Sequence, residues 1–394
     1  MIRTLIVPNY YREFHCIGSS CPDTCCGGWK IPIDKKTMKK YRALGRSGFD
    51  FHGAVDRRRR QIVMKDGSCP LLEKGLCRLH RDLGEDYLCR ACRLYPRHDE
   101  DYGSVHERSL SLSCPEAARL ILKREGRLTF REYMGRGEKE AEDPASRPLF
   151  AQLMRARKQM LSMLSFRERP LAHRLAMILA MSHDMQRGIS QGKDESLHMI
   201  MDRYTLLETE KGYEWFLSKT SSCMGRREER YDQMAACLGL LGELTEIYPG
   251  YGRMVSGWLD VLYRTEAGFA DYDRAVRESE GEPEIEIMLE NLAAYILWLY
   301  VPGAVYDRDV YTKVKYCLFS VLCIREALTA EMALGRLKKE NAMGREEAEA
   351  ALLRLSWSYS RQTEHSDENL ELIENALKKR KLFSMKSIFI NLFG

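Results

Sequence analysis

The chain of 394 residues contains little proline and lacks the short motifs that mark several common enzyme classes. Only 12 residues are proline, which favours a helical protein. The sequence has no GxxxxGK[ST] phosphate loop, no GxGxxG between a strand and a helix, no HExxH zinc motif and no GxSxG nucleophile motif. P-loop, dinucleotide-binding, zinc-protease and serine-hydrolase sites are therefore not predicted.

Long hydrophobic runs are also missing. The first 14 residues contain no apolar run of the length that a secretory signal needs. The longest apolar stretch, residues 292–305, is interrupted by Pro302 and Gly303 and is too short to cross a bilayer. We therefore expect a cytoplasmic protein without a transmembrane segment.

Cysteine is abundant and concentrated near the N-terminus. Of the 13 cysteines, Cys223, Cys237, Cys317 and Cys323 are scattered through helical sequence, where we expect small buried side chains. The other nine fall within the first 114 residues. Because thiols stay reduced in the cytoplasm, this set predicts metal binding rather than disulfides. Its members are Cys16, Cys21, Cys25, Cys26, Cys69, Cys77, Cys89, Cys92 and Cys114.

The spacing of these cysteines leaves the kind of metal centre open. Four thiolates can bind one zinc ion or one 4Fe–4S cluster, and eight can do either twice or one of each. The neighbours Cys25 and Cys26 favour two nearby centres, because adjacent side chains rarely serve one small ion. The CxxxCxxC spacing of radical S-adenosylmethionine enzymes is absent. We expect the histidines of this region to be structural rather than ligands: His15, His80, His98 and His106.

Positive charge accompanies the cysteines. Residues 1–120 contain 22 Lys and Arg against 15 Asp and Glu, a net charge of +7, and the rest of the chain carries −2. Such cations offset thiolate charge and lower thiol pKa values. The four consecutive arginines at 57–60 are interpreted as a solvated loop, with a patch for an anionic partner as the alternative.

Local patterns predict short elements around the cysteines. Residues 1–33 are expected to be irregular, and Asp34 is expected to cap a helix that ends near Leu44. Residues 61–80 predict a hairpin-like loop with a turn at 65–67, and residues 83–94 a short helix or turn that presents Cys89 and Cys92.

A capping box at 113–116 places Cys114 at the start of a helix that runs to Gly126. The charged segment 135–148, punctuated by glycine and proline, predicts a domain boundary. The fold class is therefore mainly α, with a small irregular cysteine-rich module at 1–134 packed on an all-helical domain at 149–394. The C-terminal tail is basic and then apolar, which predicts a docked helix or, as the alternative, a peripheral membrane contact.

Four segments in the first 125 residues resemble one known family. FHCIGSSCPDTCCGGWKIPID, CPLLEKGLCRLHRDLGEDYLC, CRLYPRH and LSLSCPEAARLIL, in this order, are similar to the flagellin lysine-N-methylases, within the wider group of YkgJ-type cysteine-cluster proteins. The helical remainder resembles the family only in length and character.

The resemblance implies a bacterial cytoplasmic enzyme that methylates surface lysines of flagellin with S-adenosylmethionine and carries a 4Fe–4S cluster. Zinc is an alternative or additional metal. Cys89 is extra to the family pattern. Arg93, Tyr95 and Arg97, beside Cys92, are candidates for substrate or donor contacts. The implied metal ligands are Cys16, Cys21, Cys25, Cys26, Cys69, Cys77, Cys92 and Cys114.

Two other functions compete with lysine methylation. The metal–thiolate module could shape a surface that docks a partner without catalysis. Nucleic-acid binding through residues 57–60 is a weaker candidate, since no finger spacing ending in a histidine pair is present, and we expect no nucleic-acid partner.

Overall fold

The computed structural model describes residues 2–27, 29, 31–136, 142–279, 281–339 and 343–394. The protein is mainly helical, as predicted, with a small sheet and two short hairpins near the N-terminus. In the first 136 residues the elements are β1 (Ile2–Pro8), α1 (Lys35–Arg46), β2 (Val55–Asp56), β3 (Gln61–Ile62), β4 (Leu72–Glu73), β5 (Leu76–Cys77), α2 (Arg78–Leu83), α3 (Arg90–Leu94), β6 (Arg97–Asp101), β7 (Val105–Leu110), α4 (Pro115–Leu122) and β8 (Phe130–Arg136).

A four-stranded sheet has the strand order β6-β7-β1-β8. Strand β1 runs parallel to β7, with Thr4 opposite Val105, and antiparallel to β8, with Ile2 opposite Arg136. The prediction that residues 1–33 are irregular is therefore wrong for β1. Both of its partners are about a hundred residues or more away in the sequence, so no local turn signals the pairing.

The local predictions around the cysteines are largely confirmed. Asp34 caps α1 by accepting the N–H of Thr37 over 2.9 Å, although the helix continues to Arg46. Residues 65–68 form the predicted turn, and β4 and β5 form a hairpin. Cys114 is the N-cap of α4 but makes no side-chain capping bond, and that helix ends at Leu122 rather than at Gly126.

In the described residues from 142 onward, thirteen α-helices follow. They are α5 (Pro148–Leu164), α6 (Leu171–Ser190), α7 (Leu197–Tyr204), α8 (Glu210–Thr220), α9 (Arg227–Gly242), α10 (Tyr251–Tyr263), α11 (Phe269–Ser279), α12 (Pro283–Tyr300), α13 (Ala304–Asp307), α14 (Val310–Lys339), α15 (Arg345–Glu364), α16 (Asp367–Lys379) and α17 (Met385–Phe393). The long α14 packs against α6, α10, α12 and α15, so it forms the centre of the helical part.

The described residues form two apolar clusters. The smaller cluster lies within residues 31–92 and includes Cys69 and Cys89. The larger runs from Tyr10 to Leu392, so β7 and α4 share one core with the helices. The division at 135–148 stays a prediction, and part of that segment, residues 137–141, lies outside the described residues.

The helical part buries its most apolar segments. The stretch Pro283–Asp307, with 25 residues, is long and apolar enough to cross a membrane, but 78% of its most apolar window lies inside the protein, the pattern of a core helix. The C-terminal helix α17 is docked, with Ile388 and Phe389 buried. The apolar side chains that a membrane contact would need are therefore used for packing. The four scattered cysteines are buried, as predicted.

Candidate functional site

Different local structures position the cysteines of the N-terminal set. Cys16, Cys21, Cys25 and Cys26 lie in the loop between β1 and α1. The hairpin β4–β5 ends in Cys77, and the backbone N–H of Cys69 donates to the carbonyl of Cys26 over 2.6 Å. Helix α3 presents Cys89 and Cys92 one turn apart. Three chain segments and the start of α4, which carries Cys114, thus bring distant thiols toward one region.

The electrostatics of the thiols show how near they lie. The Sγ atoms of Cys89 and Cys92 are 3.4 Å apart, and their hydrogen bond lowers the pKa of Cys89 and raises that of Cys92. A side-chain hydrogen bond with Cys26, together with burial, raises the pKa of Cys25. Burial and then the charges of Cys77, Cys89 and Cys25 raise the pKa of Cys69. Cys89, extra to the family pattern, lies among the other thiols.

The donor chemistry of this set fits a soft or borderline metal, because its ligands are thiols. Within the described ranges, however, no three His, Cys, Asp or Glu side chains converge closely enough to hold one ion. Two pairs of thiols are hydrogen-bonded, Cys89 with Cys92 and Cys25 with Cys26. Their rotation toward a common centre would be needed for binding. His98 and His106 instead face the carboxylates Glu100 and Asp101.

A cleft of about 920 Å³ opens between the cysteine segment and the helical part. Its walls come from the residues just before α1, from α3 and the segment after it, and from the helices α12 to α16. Among the residues that line it are Trp29, Asp34, Arg59, Arg60, Arg90, Tyr95, Arg97, His98, Glu100, Ser111, Tyr300, Glu364, His365 and Asp367.

A chain of hydroxyl groups connects the cysteine segment with Glu364. The hydroxyl of Tyr95 lies 3.0 Å from Oγ of Ser113, which is 2.7 Å from Oγ of Ser111. Ser111 donates to Oε2 of Glu364 over 3.3 Å. On the other side, Tyr295 donates to the same oxygen over 3.2 Å. The carboxyl group is thereby fixed in orientation.

Burial raises the pKa of Glu364 to about 7. This effect is larger than the opposing effects of its hydroxyl partners and of His98, which lower the pKa. Glu364 is the last residue of α15, where the negative end of the helix dipole also disfavours a carboxylate. At neutral pH this group is therefore divided between its protonated and its charged form.

His365 is a neutral neighbour of this carboxyl group. Burial and then the charge of Arg361 lower its pKa to about 4. Its Nε2 lies 2.9 Å from Oγ of Ser113, while its Nδ1 has no hydrogen-bond partner among the described residues. The ring packs beside Trp29 and Tyr95, with centroids at 5.3 and 6.1 Å.

Arg361 ties α15 to the cysteine loop. Its guanidinium donates to Oδ2 of Asp23 and to the carbonyl of Ser113, each over 3.0 Å. The Arg361 side chain is only 4% exposed. Because Asp23 lies between Cys21 and Cys25, this buried contact positions the thiol loop relative to Glu364.

The predicted substrate contacts fall in different places. Tyr95 and Arg97 line the cleft, whereas Arg93 is exposed on α3 and is not among its lining residues. Sequence reasoning missed Glu364 and His365. The only feature of the sequence that indicates these two residues is a polar pair between two helical segments. The same pattern is found at ordinary helix ends, so it does not identify a functional site.

Residues 157–391 match the family described as FliB lysine N-methylase C-terminal domain. The chain belongs to the FliB lysine N-methylase family. The match covers the helical part, so the family reaches beyond the first 125 residues that carry the sequence resemblance.

Three relatives from Salmonella share shorter regions with the chain. Flagellar biosynthetic protein FliU of Salmonella muenchen is 35% identical over 130 residues, which is 30% of this chain and 77% of that protein. Proteins named Lysine-N-methylase from Salmonella typhimurium and Salmonella choleraesuis are each 34% identical over 135 residues. Those matches cover 30% of this chain and 32% of each relative, less than a third of its length. No solved structure matches the chain significantly.

Proposed function

We propose that the protein is a cytoplasmic methyltransferase that transfers methyl groups from S-adenosylmethionine to lysine ε-amines of flagellin. Membership in the FliB lysine N-methylase family and the names of two relatives support this activity. The observation that carries the proposal for this chain is the cleft, in which a carboxyl group with a pKa near 7 lies beside the thiol region. Methyl transfer to lysine needs such a group, because a protonated amine has no lone pair with which to attack.

The charges around the cleft suit a donor that is both cationic and anionic. Arg59, Arg90 and Arg97 line the cleft and suit the donor's carboxylate, and Asp34 and Glu100, although hydrogen-bonded within the protein, lie in the same wall and suit its cationic groups. The volume of about 920 Å³ lies in the range of small-molecule sites. Tyr95 and Arg97 are the contacts that we assign to donor or substrate.

We further propose that the cysteines hold a 4Fe–4S cluster, with zinc as the alternative or additional metal. Such a cluster can supply an iron that binds the amino-acid part of the donor. The chain's own contribution is to keep the thiols near the cleft through Arg361 and Asp23. One such cluster takes up to four thiolates, and the proposed ligands are drawn from Cys16, Cys21, Cys25, Cys26, Cys69, Cys77, Cys92 and Cys114.

The test uses the full-length protein purified without oxygen, flagellin, and S-adenosylmethionine carrying an isotopic label in its methyl group. We expect label on flagellin lysines, located by mass spectrometry of flagellin peptides. Flagellin that binds the metal-loaded protein but acquires no label would instead support the docking module. A reaction without the protein and one with free lysine in place of flagellin are the controls.

A further inference from the structure

Glu364 stands out because it breaks local rules for a carboxylate. It ends α15 at the unfavourable pole of the helix dipole, and it is partly buried. Its hydrogen-bond partners are hydroxyl groups, those of Tyr295 and Ser111, rather than cations. Groups that contradict local preference in this way are concentrated at functional sites.

We propose that Glu364 is the general base of the methyl transfer and takes the proton of the substrate lysine inside the cleft. The inference rests on the proposed function and adds the residue that makes the amine nucleophilic. Glu364 lines the cleft, so a lysine side chain that enters can reach its carboxylate.

The step balances in atoms and charge. Glu364 accepts one proton from the ε-ammonium, which leaves a neutral amine and a neutral carboxyl group. The nitrogen lone pair attacks the methyl carbon of the sulfonium donor, and a C–N bond forms as the C–S bond breaks. The electron pair of the broken bond stays on sulfur, and the positive charge passes to nitrogen. The proton on Glu364 then leaves to solvent.

Two other carboxylates of the cleft, those of Asp34 and Glu100, are already engaged in hydrogen bonds. Asp34 accepts the backbone N–H groups of Thr37 and Arg90, and although burial opposes them, these bonds lower its pKa to about 2. Glu100 is held by Nε2 of His98 at 2.7 Å. A base works best when its pKa lies near the operating pH, and burial places Glu364 there.

The groups that act electrostatically on Glu364 include one other residue that can titrate near neutral pH. His98 is that residue, and its hydrogen bond with Glu100 raises its pKa, while burial opposes the rise. Four tyrosines also interact with Glu364, and they stay neutral near that pH because burial raises their pKa values: Tyr10, Tyr295, Tyr300 and Tyr316. The test must therefore separate Glu364 from His98.

The experiment measures kcat and KM of the full-length, anaerobically purified protein with flagellin and S-adenosylmethionine from about pH 5 to pH 9. For the wild type, kcat/KM should rise with a midpoint near 7. E364Q should lower kcat by at least about 100-fold with little change in KM. In E364Q, the remaining rate should increase with pH across the whole range, because the amine then loses its proton only near the pKa of free lysine, about 10. E364D should restore part of the rate.

Two controls share the helix or the cleft. E349Q removes a carboxylate on α15 that pairs with Lys123 at 2.5 Å outside the cleft, and it should keep both rate and profile. H98Q should shift the profile without removing its acidic limb. A second readout is the melting temperature as a function of pH. The melting temperature of E364Q should rise relative to that of the wild type as the pH increases toward 7. If the carboxylate had a structural role, the melting temperature of E364Q should fall relative to the wild type instead.

Several outcomes overturn the assignment. These are wild-type kcat in E364Q, an unchanged acidic limb in that variant, or loss of the limb in H98Q instead. If E364Q does not fold, Y295F keeps the carboxyl group but removes a hydrogen bond that stabilises its charged form. The limb should then move to higher pH, and an unmoved limb contradicts the proposal. A wild type that loads its metal and binds flagellin without methylating it refutes the proposed function, and the assignment falls with it.

Discussion

Tyr295 donates its hydroxyl hydrogen to Oε2 of Glu364 over 3.2 Å, and the same hydroxyl accepts the backbone N–H of Leu112 over 3.1 Å. One contact therefore joins α12, the end of α15 and the segment before Cys114. The proton of Tyr295 has a fixed direction, toward the carboxyl group. This arrangement holds a titratable group at the junction between the thiol region and the helices.

The first prediction concerns stability against pH in E364Q. A glutamate in the unfolded chain ionises near 4.5, whereas Glu364 keeps its proton in the folded protein to about 7. Between these values the native state binds more protons, so wild-type stability falls as pH rises. The neutral amide of the variant avoids this loss. The free energy of unfolding of E364Q, minus that of the wild type, should therefore be greater at pH 8 than at pH 4. We expect this increase to be roughly 2 kcal/mol, after a discount for contact of the group with water in the cleft.

Chemical denaturation at the two pH values measures this difference. E349Q serves as the control, because its carboxylate is paired with a lysine, and removal should leave stability unchanged or lower at pH 8. A stability gap between E364Q and wild type that does not change with pH would show that Glu364 has an ordinary pKa.

The second prediction concerns the contact between α15 and the cysteine loop. Arg361→Ala removes a guanidinium that is 4% exposed and leaves Asp23, 18% exposed, without its partner. We expect a loss of about 3 kcal/mol in the free energy of unfolding, measured in urea, together with lower metal content. Arg354→Ala on the same helix breaks the more exposed pair with Glu331 and should cost less than about 1 kcal/mol. Equal losses in both variants would assign no special role to the loop contact.

The third prediction divides the cysteines by metal content, measured by elemental analysis and absorption after anaerobic purification. Cys26→Ser and Cys92→Ser should lose metal, because ligand loss removes binding energy that is coupled to folding. Cys237→Ser and Cys323→Ser, which change buried core residues, should retain it. Cys89→Ser should also retain metal, because Cys89 is outside the proposed ligand set even though its Sγ lies 3.4 Å from that of Cys92. The same metal content in all five variants would contradict a thiol-bound centre in this region.

Local sequence signals predicted the elements whose partners are nearby. Asp34 caps α1 through a residue three positions on, and residues 65–68 close a turn. The helices follow from apolar residues at three- and four-residue spacing. Strand β1 could not be predicted in this way, because its pairing depends on strands far along the chain.

The candidate site was only half predictable for the same reason. The short spacings between the cysteines predict thiol chemistry from the sequence alone. Glu364 and Ser111 are 253 residues apart, and only folding brings the two side chains together. The raised pKa of Glu364 arises from burial, which no pattern within α15 reveals.

The most direct measurement of the central claim, that the cleft is the reaction site, is hydrogen–deuterium exchange of the full-length protein. Exchange is compared with and without S-adenosylmethionine and flagellin, under anaerobic conditions. We expect slower exchange in four of the segments that line the cleft, residues 32–34, 90–98, 299–306 and 364–370. A second groove, lined by Asp184, Arg187 and Arg203 among others, serves as the internal comparison. Protection confined to that groove, with the four cleft segments unchanged, would contradict the account.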